Sequence, residues 1–297
     1  MSKLFPITFS IPEEKIVNGI QQKTKLLSSL IPGRLHTYIY NTEEDYYNEY
    51  KKSLFATTTK KAGWDCMRHY EIMANGCIPY FPDIEQCPPN TMALLPKDLL
   101  LEGNKLYKKY SKKQVSGLTS DELDECNRLI MKLLDYTRTH LTTRNMADYI
   151  LDKTSHTNVS SILYLSGDPN PDYLRCVTLH GFKTRFGTKC HDFPMINHIY
   201  KQDMDYKRFY GKGITYTNLL NLDLHDTTAD KDVESDIKSK KYDIVMYGSY
   251  HRGMPYYDLV QQIYKPEEII MLCGEDIHRC NYNDYVTKGH NVFVREL

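Results

Sequence analysis

The sequence has almost no tryptophan, no net charge and no long apolar run. One Trp stands among 297 residues, so recognition by rings must rest on other aromatics. Lys and Arg number 38 and Asp and Glu number 38. A chain without a global positive field is a poor holder of polyanions, so nucleic acid is not an expected partner. No apolar stretch reaches the roughly 18 residues that a helical bilayer span requires. The opening Met1-Ser2-Lys3-Leu4-Phe5-Pro6 lacks the apolar core of a secretory leader. The eight cysteines form no CxxC pair. Reduced, mostly buried thiols in a cytoplasmic protein are therefore expected. Cys190-His191 is the nearest approach to a zinc pair, and it lacks a second pair. Neither a P-loop (GxxxxGK with Ser or Thr) nor a GxSxG elbow occurs.

What is abundant is tyrosine, 25 residues against 9 Phe. Its apolar body and polar tip suit cores that open onto polar grooves. At about 150 residues per domain, the length suggests two domains. The first, 1–155, alternates strand and helix. Leu35–Tyr40 reads as a strand, Glu43–Lys52 as a helix capped by Thr42, and Ser53–Thr58 as a strand. A helix over 66–75 stops at Gly76, and Cys77–Phe81 is a third strand. Residues 101–118 are lysine-rich and read as a solvated connection. Thr119 with Glu122 offers a capping box ahead of an amphipathic helix, and a further helix runs to about Ile150. Residues 152–158 form a polar linker. In the second domain, 156–297, Ile162–Leu165, Ile244–Tyr247, Ile269–Leu272 and Val292–Val294 are short apolar runs. Such runs suit parallel strands buried on both faces. The class expected is therefore α/β, with two Rossmann-like domains facing a cleft.

The densest stretch chemically runs from Lys60 to Pro82. A glycine loop that opens a helix presents free amides and a positive dipole end to an anion. Lys60, Lys61, Gly63, Trp64 and Asp65 make that loop, and Arg68 adds a forked donor. Glu71 shares a helix face with Arg68, where a carboxylate can accept from a ribose diol. A nucleoside diphosphate is the ligand this chemistry suits.

The pattern Arg68-His69-Tyr70-Glu71-x-x-Ala74-x-Gly76-Cys77-Ile78-Pro79 resembles the donor-binding helix of GT-B glycosyltransferases. In detail it is similar to the exostosin-like and group 1 transferases of large algal viruses and marine bacteria. The strong part of the resemblance covers roughly 30 residues, those from Lys60 to Pro82 and their flanks. It implies a hexosyl or pentosyl transfer from a UDP- or GDP-linked sugar to a glycan or glycoprotein hydroxyl. A viral origin would put that activity in a host's cytoplasm. By the same resemblance Glu71 meets the ribose, Arg68 with Lys60 or Lys61 meets the phosphates, and Gly76 lets the helix pack. Such folds normally place the acceptor domain first, whereas the motif here lies in the first domain. The segments 291–297 and 6–12 also look like pieces that adjoin in related transferases, which implies a circular permutation: donor half first, acceptor half second.

Transfer to a hydroxyl needs a base for the acceptor and cations for the leaving diphosphate. In open α/β sheets the working loops follow the carboxyl ends of strands. Those loops offer Asp168, then His251, then Asp276 as bases, with Asp172, Tyr173, Tyr250, Arg252 and Glu275 on the acceptor side. Asp203-Met204-Asp205 is a DxD, but it does not end an apolar strand, so no required metal and no resident cofactor is expected. A non-catalytic nucleotide- or glycan-binding module, or another nucleotide-cofactor enzyme such as an epimerase, is the competing expectation.

Overall fold

The computed structural model describes residues 3–276 and 280–297. Met1 and Ser2, at the head of the stretch read above as carrying no leader, lie outside them. In chain order the strands are β1 (Leu4–Pro6), β2 (Lys25–Leu27), β3 (Ser53–Thr57), β4 (Ile78–Tyr80), β5 (Ile162–Leu165), β6 (Cys190–Phe193), β7 (Ile244–Tyr247), β8 (Ile269–Cys273) and β9 (Asn291–Val294). The α-helices are α1 (Glu43–Lys52), α2 (Met67–Ala74), α3 (Lys97–Tyr110), α4 (Ser120–His140), α5 (Thr143–Lys153), α6 (Tyr173–Phe186), α7 (Val233–Lys238), α8 (Tyr257–Ile263) and α9 (Tyr282–Thr287). Among the described residues these strands form a six-stranded sheet, β1-β9-β8-β7-β5-β6, and a three-stranded sheet, β2-β3-β4. Every pairing in both is parallel.

Parallel sheets need cover on both faces, and the sequence supplies it. Strands β5, β7, β8 and β9 are buried along their whole length. Helix α4 starts on the reciprocal capping box of Thr119 and Glu122, then buries Cys126, Leu129, Ile130, Leu133 and Leu134 along one stripe. Helices α5 and α6 touch at a glycine. A Cβ on Gly181 would stand 2.0 Å from the carbonyl oxygen of Thr143, so no larger residue permits this approach.

The order of the large sheet has a reversal. From β5 the chain adds β6 on one side, then returns to place β7 on the other. The loops after β5 and β7 therefore diverge at a topological switch point, where open α/β sheets bind ligands. They are tied there by Asp168 N donating to Arg252 O at 2.8 Å.

Several local expectations are corrected. Leu35–Tyr40 is not a strand: Leu35–Thr37 forms a 3-10 turn, because no neighbouring strand offers a ladder and Leu35 and Ile39 face solvent. The lysine-rich 101–118 is largely helix α3, whose narrow stripe of Leu100, Gly103, Leu106 and Tyr110 is buried beneath its charged face. The expectation of reduced thiols fails at one pair: Cys273 and Cys280 are joined in a disulfide, and the other six cysteines are free.

The two segments read as adjoining pieces are neighbours in space. Leu4 lies opposite Val292 and Pro6 opposite Val294. β1, although within 1–155, thus belongs to the sheet built mainly from 156–297. The two strands run in the same direction, so linking the end of β9 to the start of β1 takes a crossover of about a dozen residues or more. Among the described residues, no helix is long and apolar enough to cross a membrane.

Candidate functional site

A cleft of about 880 Å³ opens between the small sheet and the carboxyl ends of the large one. Helix α2 forms its floor on the small-sheet side. It is short and wholly buried, and its cap residue Cys66 makes no side-chain capping bond. Met67, Arg68 and Glu71 face the cleft from its first turns.

Arg68 donates from Nε to Thr58 Oγ1 at 3.1 Å, from Nη2 to the carbonyl of Thr59 at 3.2 Å and from Nη1 to the Tyr38 hydroxyl at 3.4 Å. Every acceptor is neutral. The guanidinium is buried, and no carboxylate lies within ion-pair distance of it among the described residues. A buried cation without a counter-ion is costly, and an anion entering the cleft would offset that cost. Glu71, one turn on, accepts from the Tyr46 hydroxyl at 2.8 Å and from Thr215 Oγ1. Burial pushes its carboxyl above the usual range, against those two hydrogen bonds and the charge of Arg68.

The loop ahead of α2 departs from expectation. The amides of Trp64 and Asp65 donate to the Glu296 carboxylate at 2.9 and 3.0 Å. The donors expected to hold a ligand anion thus already hold one from the protein. Gly63 makes this possible, since a Cβ there would stand 2.6 Å from Glu296 Oε1. Arg295, fully buried, completes the clamp. It donates to Glu296 Oε1 at 2.8 Å, to the Asp65 carbonyl and to Asp276, and it stacks over the Phe9 ring at 4.6 Å. Asp65 accepts from Phe9 N at 2.7 Å and the Tyr70 hydroxyl at 2.9 Å, and burial raises its carboxyl to about 6.

Three of the donor-side residues do not line the cleft. Lys60 sits with its ammonium 5.4 Å from the Trp64 ring, and Trp64 itself packs toward Phe81. Gly76 lies at the far end of α2, at φ +62°, against Ile130, Val17 and Leu134. Lys61, Gly63, Asp65, Arg68 and Glu71 do line it.

On the large-sheet side the first-ranked base is misplaced. Asp168 is exposed and closes a turn on itself, accepting from the Asn170 amide and side chain at 2.8 Å each. It does not line the cleft, because the chain bends outward between β5 and α6. Asp172 takes the inner position. It caps α6 through the Arg175 amide at 2.9 Å and accepts from Ser249 Oγ at 2.6 Å and Arg252 Nε at 2.9 Å. Burial opposes its charge, but Arg175, Ser249 and Arg252 hold its carboxyl below the usual range.

His251 stands behind the wall, with Nε2 2.7 Å from Glu275 Oε1 and 3.9 Å from Asp172 Oδ2. Burial lowers its pKa, against the pull of both carboxylates. Glu275 and Asp276 line the cleft, Asp276 paired to Arg295. Tyr173 and Arg252 line it as well. Tyr250 is buried against Tyr285, with ring centroids 4.9 Å apart, and does not line it.

The third wall has no counterpart in the sequence reading. The segment Phe209–Tyr216 crosses from the large-sheet half and fastens to the small-sheet half. Lys212 Nζ donates to the Tyr40 carbonyl at 2.6 Å and to Asn41 Oδ1 at 2.9 Å, and Thr215 N donates to Glu43 Oε2 at 2.8 Å. Gly211, Lys212, Gly213 and Thr215 all have positive φ, a conformation held only because these bonds over-determine it. Tyr38, Tyr40, Tyr46, Tyr173, Tyr210 and Tyr216 make the lining strongly aromatic. The one available signal was the pair Gly211 and Gly213, which marks this turn. Among the described residues, no group of three or more His, Cys, Asp or Glu could hold a metal ion.

No protein-family model, no curated protein and no solved structure matches the chain.

Proposed function

We propose that the protein is a glycosyltransferase. It moves a sugar from a nucleoside-diphosphate donor, UDP- or GDP-linked, to a hydroxyl of a glycan or glycoprotein without a metal ion. The observation that carries the reading is Arg68, a buried guanidinium with no carboxylate partner, facing a cleft walled by tyrosines. The diphosphate neutralises it, with Lys61 and Arg252 alongside, while base or sugar stacks on the rings. In this reading the two sheets are the donor and acceptor halves of a permuted GT-B fold.

The leaving group departs as a diphosphate carrying the electrons of the broken C1–O bond, stabilised by Arg68. For an inverting transfer, the proton of the acceptor hydroxyl goes to the pair formed by Glu275 and His251. Glu275 faces the cleft, and His251 Nε2 lies 2.7 Å behind its carboxylate with both ring nitrogens lacking a hydrogen-bond partner, so a turn of the ring would let it take up the proton. In this reading the base is Glu275 with His251 behind it, and Asp168, which does not line the cleft, has no part in the transfer.

One observation favours a second reading, a binding module without catalysis. Asp65, Glu71, Asp172 and Asp276, the carboxylates that line the cleft beside Glu275, are each held by donors within the protein. Thermal-shift titration with UDP and GDP tests both, because both require stabilisation that Arg68→Ala abolishes. Turnover of the matching sugar donor then separates them, and loss of that turnover in His251→Ala with donor binding intact supports transfer. A protein stabilised by NAD and by neither nucleotide is the epimerase-like alternative, and it overturns the proposal.

A further inference from the structure

Among the described residues five large apolar side chains are exposed, and the three most exposed sit on two loops that are bonded to each other: Leu35 at 85%, Tyr210 at 70% and Ile39 at 65%. Leu35 and Tyr210 line the mouth of the cleft, one from each half of the molecule. The loops that carry them are fastened to each other. Lys212 Nζ holds the carbonyl of Tyr40 and the side chain of Asn41, and the Tyr216 hydroxyl donates to the Tyr210 carbonyl at 2.9 Å. The apolar tips are thereby presented on one rim.

Charge on the same loops is one-sided. Residues 31–41 and 206–217 hold Arg34, Lys207, Arg208 and Lys212, with His36, and no Asp or Glu, in a chain whose acids and bases balance at 38 each. Among the described residues, Arg34, Lys207 and Arg208 make no ion pair with a carboxylate. The acids that flank these loops in sequence are Glu43, Glu44 and Asp45 after the first and Asp203 and Asp205 before the second; Glu43 pairs with Lys15 and accepts from the amide of Thr215 at 2.8 Å, and Asp205 accepts from the amide of Lys207 at 3.1 Å.

A soluble neutral glycan would use the Tyr210 ring but would gain nothing from Leu35, Ile39 or the free cations. A bilayer surface uses all of them. Apolar tips enter the boundary between headgroups and acyl chains, and Lys and Arg reach up to anionic headgroups. We propose that this rim docks the protein, cleft mouth first, onto an anionic lipid surface. The inference does not depend on sugar transfer, since docking needs no donor.

The test is co-sedimentation of the full chain with vesicles of phosphatidylcholine alone and of phosphatidylcholine mixed with phosphatidylserine. Binding to the mixed vesicles only, weakened by salt, is expected. Ile39→Asp, and separately the pair Lys207→Glu with Arg208→Glu, should each weaken it about tenfold or more. None of these three side chains lines the cleft, so the melting temperature and the response to nucleotide should stay as in the parent. Absence of binding to the mixed vesicles overturns the proposal, as do equal binding to both vesicle types and variants that bind like the parent. A soluble acidic glycan that binds, and is lost in the same variants while vesicles are ignored, overturns it in favour of a glycan subsite. Failure here leaves the thermal-shift result with UDP or GDP untouched, so the two proposals fail separately.

Discussion

Glu296 shows how one side chain can hold a loop that looks made for a ligand. Its carboxylate takes the amides of Trp64 and Asp65 and pairs with the buried Arg295. Glu296→Ala would leave two amides without their acceptor and take one of two carboxylates from the buried Arg295. The expected loss is about 2–4 kcal/mol, measured by urea unfolding. An unchanged midpoint would mean that water satisfies the loop instead. Arg68 is the opposite case, a charge with neutral partners only. Arg68→Ala should weaken nucleotide binding by about tenfold to a hundredfold, read by calorimetric titration. Lys108→Ala, on the polar face of α3, should leave that binding unchanged. Equal effects from the two would remove Arg68 from the site. Asp65 offers a direct readout, since an NMR titration of its carboxyl should have a midpoint near 6 rather than 3.8. A midpoint at the ordinary value would show that water reaches the loop.

Elements differ in how plainly their residues announced them. Thr119 and Glu122 announced α4, and the structure has both bonds of the box. Thr119→Ala should therefore cost about 1 kcal/mol in thermal unfolding. Gly181→Ala should cost more, about 1–3 kcal/mol, because the obstacle is the backbone of Thr143 and not a flexible side chain. The strands β5, β7, β8 and β9 were legible because burial on both faces demands uninterrupted apolar runs. β6 was not: Cys190-His191-Asp192-Phe193 reads as polar, and its buried Asp192 is held by Lys183, His225 and Tyr200, all of which meet its Oδ1. β1 and β2 have three residues each, too few for alternation to register. At the cleft, Arg68 and Glu71 were legible through their local spacing. The partners of Glu71 were not, because Tyr46 lies 25 residues away and Thr215 lies 144 away. A contact between distant segments leaves no mark in the pattern of either.

Across the whole molecule, buried titratable groups set the response to acid. Burial lowers His69 to about 3 and His198 to about 4, against 6.5 in the unfolded chain. Between 4 and 6.5 the unfolded state binds more protons at these two sites, so stability must fall as the pH falls through that window. Each histidine contributes a slope of about 1.4 kcal/mol per pH unit. Asp65 acts in the other direction. Its folded value lies above 3.8, so the stability that its proton lends is present below 3.8 and is lost as pH rises through about 6. The expected net result is a urea midpoint that drops from neutral pH toward pH 4, less steeply than two histidines alone would give. A midpoint that rises on acidification would show that carboxyl protonation dominates.

The pairing of β1 with β9 also has a meaning for synthesis. Leu4 waits for Val292, so β1 has no partner strand until residues 291–294 have been made as β9. Contacts so distant in sequence close slowly, because the entropy of the intervening loop is lost before they reward it. Arg295 and Glu296 follow β9 directly and clamp the loop that shapes the cleft. A ribosome-bound chain that still lacks them has the small sheet and α2 but not the cleft's final form. A nascent chain stalled short of Arg295 should therefore hold any ligand of the proposed site more weakly than one extended past Glu296, measured on stalled chains of the two lengths.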